Sequence, residues 1–119
     1  RTAVTVEIGS ATGTARPGGT TADSADAHSV DLGGYPLEEF IFRFTNTNGS
    51  DRVATIVAGD NPPAMSAGQG NLDITVPATS GDMTVAGLES ARFIQNDGTV
   101  SIDLAASFAG KVYAIRVPR

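Results

Sequence analysis

Side chains able to do chemistry are few in this chain and are widely separated. The only histidine, His28, has no cysteine and no second histidine with which to build a transition-metal site or a nucleophile–base pair. Glu38 and Glu39 are adjacent, so on a strand they would point to opposite faces and would not form a facing carboxylate pair for acid–base or glycosidic catalysis. We therefore interpret His28 as a surface residue and the two glutamates as a solvated strand edge.

Three short motifs have plain structural interpretations. Asp60 and Asn61 offer oxygen ligands for Ca²⁺, but the spacing of a calcium loop is absent and a turn ahead of proline explains the pair. Residues 68–70, Gly-Gln-Gly, lack the lysine and the third glycine of a phosphate loop, and residues 48–50, Asn-Gly-Ser, suit a tight turn as well as a glycosylation signal. The sequence thus predicts no enzyme, no metal site, no cofactor and no small-molecule substrate.

Composition places the chain among single globular domains. It has 119 residues, of which 40% are apolar and 18% charged, and it lacks cysteine, so packing alone must stabilise it. The net charge of −5, with eight basic residues, argues against a nucleic-acid partner. No apolar run approaches the roughly 20 residues that span a bilayer, so no membrane partner is expected.

Alternation of apolar and polar residues dominates the pattern and predicts strands. Phe40, Phe42 and Phe44 fall on one face of a predicted strand over 39–45, with Ile41 on the other face. Three further alternating sets are expected to line the same interior: Leu72, Ile74 and Val76; Val100, Ile102 and Leu104; and Tyr113, Ile115 and Val117. Other strand candidates are 4–8, 52–58, 83–86 and 91–95.

The predicted fold is therefore all-β: a single-domain antiparallel sandwich or barrel of roughly eight short strands. Turn residues at 46–50 and 96–98 predict two hairpins, which join 39–45 to 52–58 and 91–95 to 100–104. Helix is confined to a single turn at 88–92 or 105–108.

Two segments read as irregular. Residues 59–70 are rich in proline and glycine and predict a long surface loop, and residues 9–27 contain almost nothing large and apolar. We therefore divide the chain into an N-terminal strand with a flexible extended arm, 1–27, and a β-sandwich or barrel domain, 28–119. Because residues 4–8 alternate, this N-terminal strand is expected to pair with a sheet edge, in its own domain or in a neighbouring subunit.

Four stretches of the chain carry distinctive motifs: residues 53–64, 68–72, 88–98 and 114–119. The most distinctive of these motifs are Ala58-Gly59-Asp60-Asn61-Pro62-Pro63-Ala64 and Glu89-Ser90-Ala91-Arg92-Phe93. Together, the four stretches resemble head decoration, or capsid cement, proteins of tailed phages that infect actinobacteria. At residues 84–87 the chain has Thr-Val-Ala-Gly, where the relatives have a stretch similar to Trp-Ile-Gly-Pro.

This resemblance implies a structural virion protein that binds the major capsid protein on the outer surface of the phage shell and stabilises the shell, as a homotrimer. We expect residues 1–27 and the 59–70 loop to contact the capsid or sister subunits. The candidate contact residues are Arg1, Val4, Val6, Ile8, Arg16, Asp60, Asn61, Pro62, Pro63 and Met65.

Two other classes of function stay open at this stage. A phage tail or head–tail joining subunit would assemble into rings without a capsid lattice. A carbohydrate- or host-binding β-sandwich module would need exposed aromatic side chains for stacking, and this chain has two tyrosines, five phenylalanines and no tryptophan.

Overall fold

The computed structural model describes residues 1–9, 19–59 and 70–117 of the chain, and these residues form an all-β sandwich. Ten strands follow one another within these residues: β1 Thr2–Ala3, β2 Val6–Ile8, β3 Thr20–Thr21, β4 His28–Asp31, β5 Phe40–Asn46, β6 Arg52–Ile56, β7 Leu72–Val76, β8 Gly81–Val85, β9 Thr99–Leu104 and β10 Lys111–Arg116. A 3₁₀ turn spans Leu37–Glu39, and one short helix, α1, spans Ser90–Phe93.

Two mixed sheets pack face to face. The first has the strand order β1-β4-β9-β6-β7, and the second has the order β2-β10-β5-β8, with β3 also paired to β10. Alternation sends the buried residues of both sheets into one continuous core, as the three phenylalanines of β5 illustrate. The predicted all-β sandwich is confirmed, although two pairings, β1 with β4 and β2 with β10, are parallel and not antiparallel.

The N-terminal segment belongs to both sheets. The Val4 amide donates to the Ser29 carbonyl in the first sheet (2.9 Å), and the next amide, that of Thr5, donates to the Thr20 hydroxyl beside the second (3.0 Å). The chain therefore crosses between the sheets at this point, which buries the Val4 side chain in the core. Residues 1–8 thus pair with edges of their own domain, one of the two options that the sequence left open.

Both predicted hairpins are wrong. The turn after β5 leads to β6 in the opposite sheet, so residues 39–45 pair with β10 and β8 and not with 52–58. Residues 91–93 of the predicted strand 91–95 belong instead to α1, which overlaps the 88–92 range where the sequence allowed one helical turn. Only the turn at 96–98 remains, closed by the Gly98 amide on the Gln95 carbonyl (3.0 Å).

The predicted inward face of the last strand is also wrong. Val112 and Ala114 lie in the core, whereas Val117 is exposed and Ile115 is half-buried. Tyr113 is buried on the opposite face of the sheet, because the Arg43 guanidinium lies over its ring (4.9 Å to the centroid). Gly19 packs so close to the same ring that a Cβ there would lie 2.7 Å from it.

His28 is fully buried, contrary to the predicted surface position. Its Nε2 accepts the Asp23 amide (2.9 Å), and its Nδ1 lies 3.1 Å from the Thr2 carbonyl, to which it donates in the corresponding neutral tautomer. Both ring nitrogens are thus used to join β1, β4 and the 22–27 turn. The residue lies where β1 pairs beside β4, a contact between distant parts of the chain.

Asp23 strengthens the same junction electrostatically. The Thr2 hydroxyl donates to its carboxylate (2.7 Å) and the Asp26 amide donates to it (3.1 Å). These two hydrogen bonds, the Thr2 bond first, hold the pKa of Asp23 below its ordinary value of 3.8, although burial opposes the shift. The folded chain therefore favours the ionised carboxylate, so Asp23 stabilises the fold at neutral pH.

Acid should weaken this junction. Since the folded pKa of Asp23 is lowered, its contribution is present above the unfolded value of 3.8 and is lost as the pH falls through the folded pKa. We expect Asp23→Asn and Thr2→Val each to reduce the free energy of unfolding at neutral pH, and the deficit of each to shrink in acid. Urea unfolding between neutral and acidic pH measures the deficit of each variant. A deficit that does not change with pH would show that the carboxylate charge is not involved.

Candidate functional site

A cleft opens at one end of the sandwich, and we call it the end cleft. It is lined by Val6, Ile8, Asp31, Leu32, Gly33, Tyr35, Phe40 and Arg116 and has a volume of about 220 Å³. The residues of the second sheet reach it through the register of three neighbouring strands. Ile8 of β2 is paired with Arg116 of β10, which is paired with Phe40 of β5, so the three side chains form one row on the inner face.

The first sheet supplies the opposite wall through the turn that follows β4. Gly33 and Gly34 both adopt positive φ, 63° and 84°, a conformation that glycine takes without steric cost. The Asp31 carboxylate accepts the Gly33 amide (2.9 Å), and the Tyr35 amide donates to the Leu32 carbonyl (3.1 Å). This compact turn brings Tyr35 back over the cleft.

Arg116 ties the two walls together. Its guanidinium lies 3.7 Å from the centroid of the Tyr35 ring, and its Nη1 donates to Glu39 Oε1 at 3.1 Å. The ion pair is well shielded, because the Arg116 and Glu39 side chains are 14% and 16% exposed. Glu39 lies in the 3₁₀ turn and not on the predicted strand edge.

A second cleft, which we call the side cleft, adjoins the first through Phe40. It is lined by Glu38, Glu39, Phe40, Ile41, Ala86, Gly87 and Val117 and has a volume of about 260 Å³. The Val117 amide donates to the Glu39 carbonyl (2.7 Å), which holds the end of β10 against the 3₁₀ turn. The two clefts therefore share Phe40, and the Glu39–Arg116 ion pair joins a lining residue of one to a lining residue of the other.

Exposed apolar side chains concentrate around these clefts. Among the described residues, four large apolar side chains are exposed: Ile8 (55%), Tyr35 (47%), Val117 (44%) and Met83 (37%). The first three line the two clefts, and only Met83 lies elsewhere, on edge strand β8. Such a concentration at one end is typical of a surface that contacts another protein.

A third cleft is polar. It measures about 550 Å³ and is lined by Arg1, Ser29, Gln95, Asn96, Asp97, Thr99 and Ser101. Several of these groups bond within the chain: Arg1 Nη1 donates to Asp103 (2.6 Å), and Gln95 Nε2 donates to the Ala58 carbonyl (3.0 Å). The Thr99 hydroxyl and amide donate to Asp97 and lower its pKa. We therefore interpret this cleft as part of the polar outer face of the first sheet.

Catalytic geometry is not apparent in the part of the chain that the structure describes. Ser90 Oγ donates to the Glu38 carboxylate and accepts the Leu37 amide (2.9 Å), so this serine joins α1 to the 3₁₀ turn without a histidine beside it. Within those residues no group of three or more His, Cys, Asp or Glu side chains is placed to hold a metal ion. Nor do they include a helix that is long and apolar enough to span a membrane.

The contact residues predicted from the sequence lie in different parts of the structure. Val6 and Ile8 line the end cleft, Arg1 is paired with Asp103 at the polar cleft, and Val4 is in the core and therefore offers no contact surface. The remaining candidates lie outside the described residues: Arg16, Asp60, Asn61, Pro62, Pro63 and Met65.

Sequence reasoning missed Tyr35 and Val117 as surface residues. Tyr35 directly follows the Gly33-Gly34 pair, which marks a turn. Because turns lie at the surface, this pair is the signal that could have identified Tyr35 as exposed. Val117 continued an alternating set and was therefore assigned to the interior.

The chain was compared with protein families, curated proteins and solved structures. No protein-family model, no curated protein and no solved structure matches the chain.

Proposed function

We propose that this chain is a structural virion protein that binds the outer surface of a phage capsid and stabilises it, acting as a trimer. The observation that carries the proposal is the concentration of exposed Ile8, Tyr35 and Val117 at one end of a rigid β-sandwich. The sequence resemblance to capsid decoration proteins supplies the identity of the partner.

Rigidity supports a mechanical role. Sheet pairing, a shared core and the crossing N-terminal segment connect the described strands, so a load applied at the end cleft and the side cleft would pass into both sheets. A protein that opposes expansion of a shell must transmit force without unfolding locally, and strands that are paired along their length suit this task. The acidic balance of the chain suits an outer surface away from the packaged genome.

The disposition of the aromatic residues disfavours the carbohydrate-binding alternative. All five phenylalanines and Tyr113 are buried, so Tyr35 is the one exposed aromatic residue. One face of its ring is already covered by Arg116, which leaves little aromatic surface for stacking on a sugar.

Binding to shells tests the proposal. Purified protein is mixed with undecorated, expanded shells of an actinobacterial tailed phage, and sedimentation and imaging measure the bound ratio. Saturable binding in a fixed lattice at three-fold positions, with increased resistance of the shell to heat, is the expected result. Absence of binding, with rings formed by the protein alone, would instead assign it to the tail or the head–tail joint.

A matched pair of variants locates the contact. Ile8→Ser should weaken shell binding about fivefold to tenfold per contact, because burying the exposed half of an isoleucine contributes on the order of 1 kcal/mol. Met83→Ser removes an exposed apolar side chain away from the clefts and should leave binding unchanged. Equal loss of binding in both variants would show that the end cleft and the side cleft are not the contact surface.

A further inference from the structure

We propose that the end cleft is a socket for one aliphatic side chain that a partner protein presents between lysine or arginine residues. The inference deepens the proposed function, on which it rests for the identity of the partner. The chemistry of the occupant is argued from the size, lining and charge of the cleft.

Size favours a side chain over a small-molecule ligand. The end cleft, at about 220 Å³, is smaller than the roughly 300–1,000 Å³ typical of small-molecule sites. Its lining is apolar where Val6, Leu32 and Phe40 meet, so a polar group inserted there would lose its hydration without gaining a partner. A single leucine, isoleucine or valine side chain is both small enough for this volume and apolar enough for this lining.

Charge determines what should flank that side chain. The described residues that line the two clefts carry three carboxylates, Asp31, Glu38 and Glu39, against one guanidinium, that of Arg116. Arg116 is already paired with Glu39 and stacked on Tyr35, so the formal charge around the openings is negative. A cationic neighbour of the inserted residue is therefore attracted, whereas an acidic one is repelled.

The socket is held in shape before any partner arrives. β2 is paired with β10 at Val6, Glu7 and Ile8, and the Gly9 amide continues the pairing by donating to the Arg116 carbonyl (2.8 Å). The opposite wall is held by the glycine turn and by the Arg116–Tyr35 stack. A preformed cleft reduces the entropy lost on binding, which is the condition for a small anchor to contribute affinity.

Short peptides test this chemistry without any phage component. The probes are N-acetyl-Arg-Leu-Arg-amide, the same peptide with serine in place of leucine, and N-acetyl-Glu-Leu-Glu-amide. Each is titrated to about 10 mM, a range that detects millimolar dissociation constants, into the ¹⁵N-labelled full chain while amide chemical shifts are recorded. We expect the first peptide to shift the amides of Ile8, Tyr35 and Val117, saturably and less at high salt, and the other two to have much weaker effects.

Matched substitutions assign the contacts. Asp31→Asn should weaken binding of Arg-Leu-Arg about threefold at low salt, and Ile8→Ser about fivefold. The controls Asp73→Asn, an exposed carboxylate on the outer face of the first sheet, and Met83→Ser should leave it unchanged. Equal binding of the acidic peptide, shifts centred away from the clefts, or no shifts at all would overturn the proposal.

Failure of this inference is distinguishable from failure of the proposed function. Shell binding that is insensitive to Asp31→Asn and Ile8→Ser, with no peptide binding, would leave the decoration role standing and remove the socket. Peptide binding at the cleft in a protein that ignores shells would support the socket and reject the capsid as its partner.

Discussion

Asn46→Asp is expected to be among the most destabilising single substitutions in the described residues, although it replaces only one non-hydrogen atom. The Asn46 side chain is fully buried, and its Nδ2 donates to the carbonyls of Ser50 (3.0 Å), Val76 (3.2 Å) and Pro77 (3.2 Å). A carboxylate would confront these oxygens with negative charge. We expect a loss of about 3–5 kcal/mol in the free energy of unfolding at neutral pH.

The same substitution two residues later is the control. The Asn48 Nδ2 donates to the Ser107 carbonyl (2.9 Å) near the surface, so Asn48→Asp should cost about 1 kcal/mol. Burial should raise the pKa of an aspartate at position 46, so the deficit of Asn46→Asp should decrease in acid, where the neutral carboxyl donates one hydrogen bond. Urea unfolding of both variants at neutral and acidic pH measures this, and equal deficits at the two positions would show that the buried hydrogen bonds of Asn46 do not set its contribution to stability.

Gly110→Ala is the second substitution for which we expect a large effect. Gly110 has a φ of 123°, and a Cβ there would lie 2.2 Å from the Thr45 carbonyl oxygen. Because the obstructing atom belongs to the backbone of β5, the start of β10 must shift away from its partner strand. Strain and displacement together should cost about 3–4 kcal/mol and lower Tm by about 12–16 °C.

Gly98→Ala separates the cost of a positive φ from the cost of the steric clash with Thr45. Gly98 has a similarly positive φ of 82°, but a Cβ there would have no other atom within 4 Å, so alanine suffers only the backbone cost. That cost is about 1–2 kcal/mol, which thermal unfolding resolves from the Gly110 effect. Similar Tm values for the two variants would mean that β10 relaxes freely and that the close approach to Thr45 does not constrain the sheet.

These two positions lie at or next to the ends of strands whose opposite ends reach the two clefts. Asn46 holds the crossing from β5 to β6 against the end of β7, and Gly110 lets β10 begin beside Thr45 of β5. Strand β10 then runs to Arg116 and Val117 at the clefts. A variant that displaces β10 should therefore weaken shell binding even without touching the clefts, so binding assays belong on folded variants only.

Local alternation was sufficient to predict several strands. Phe40, Phe42 and Phe44 were predicted to face inward on β5, and they do. A phenylalanine stands at every second position, so all three point to one face of the strand, and three large apolar side chains favour burial of that face. The strand over Leu72–Val76 was predicted for the same reason. Strands β1, β3 and β4 were missed, since they are short and owe their pairing to distant partners.

Alternation misled where both faces of a strand are covered. Tyr113 was assigned to the core because it alternates with Ile115, but Val112 and Ala114 are buried between the sheets while Tyr113 is buried beneath Arg43 on the outer face. The segment 91–95 was too short for period two to be distinguished from a helical turn, and Phe93 is buried in the helical turn that forms.

The candidate site could be predicted only in part. Val6 and Ile8 were chosen from an alternating N-terminal strand, and both line the end cleft. Tyr35 and Arg116 are far apart in the numbering and meet only because β10 returns beside β5 and the glycine turn folds Tyr35 over it. No local pattern contains that contact.

The amino-acid sequence by itself determined that the chain is a one-core β protein with an acidic surface, because side-chain period, turn residues and net charge are local or summed properties. Tertiary structure alone decided which sheet each strand joins, that His28 and Asn46 are buried with their polar atoms paired, and that Ile8, Tyr35 and Val117 share one end. These features depend on contacts between residues far apart in the chain, and a residue's type and near neighbours do not specify its distant partners.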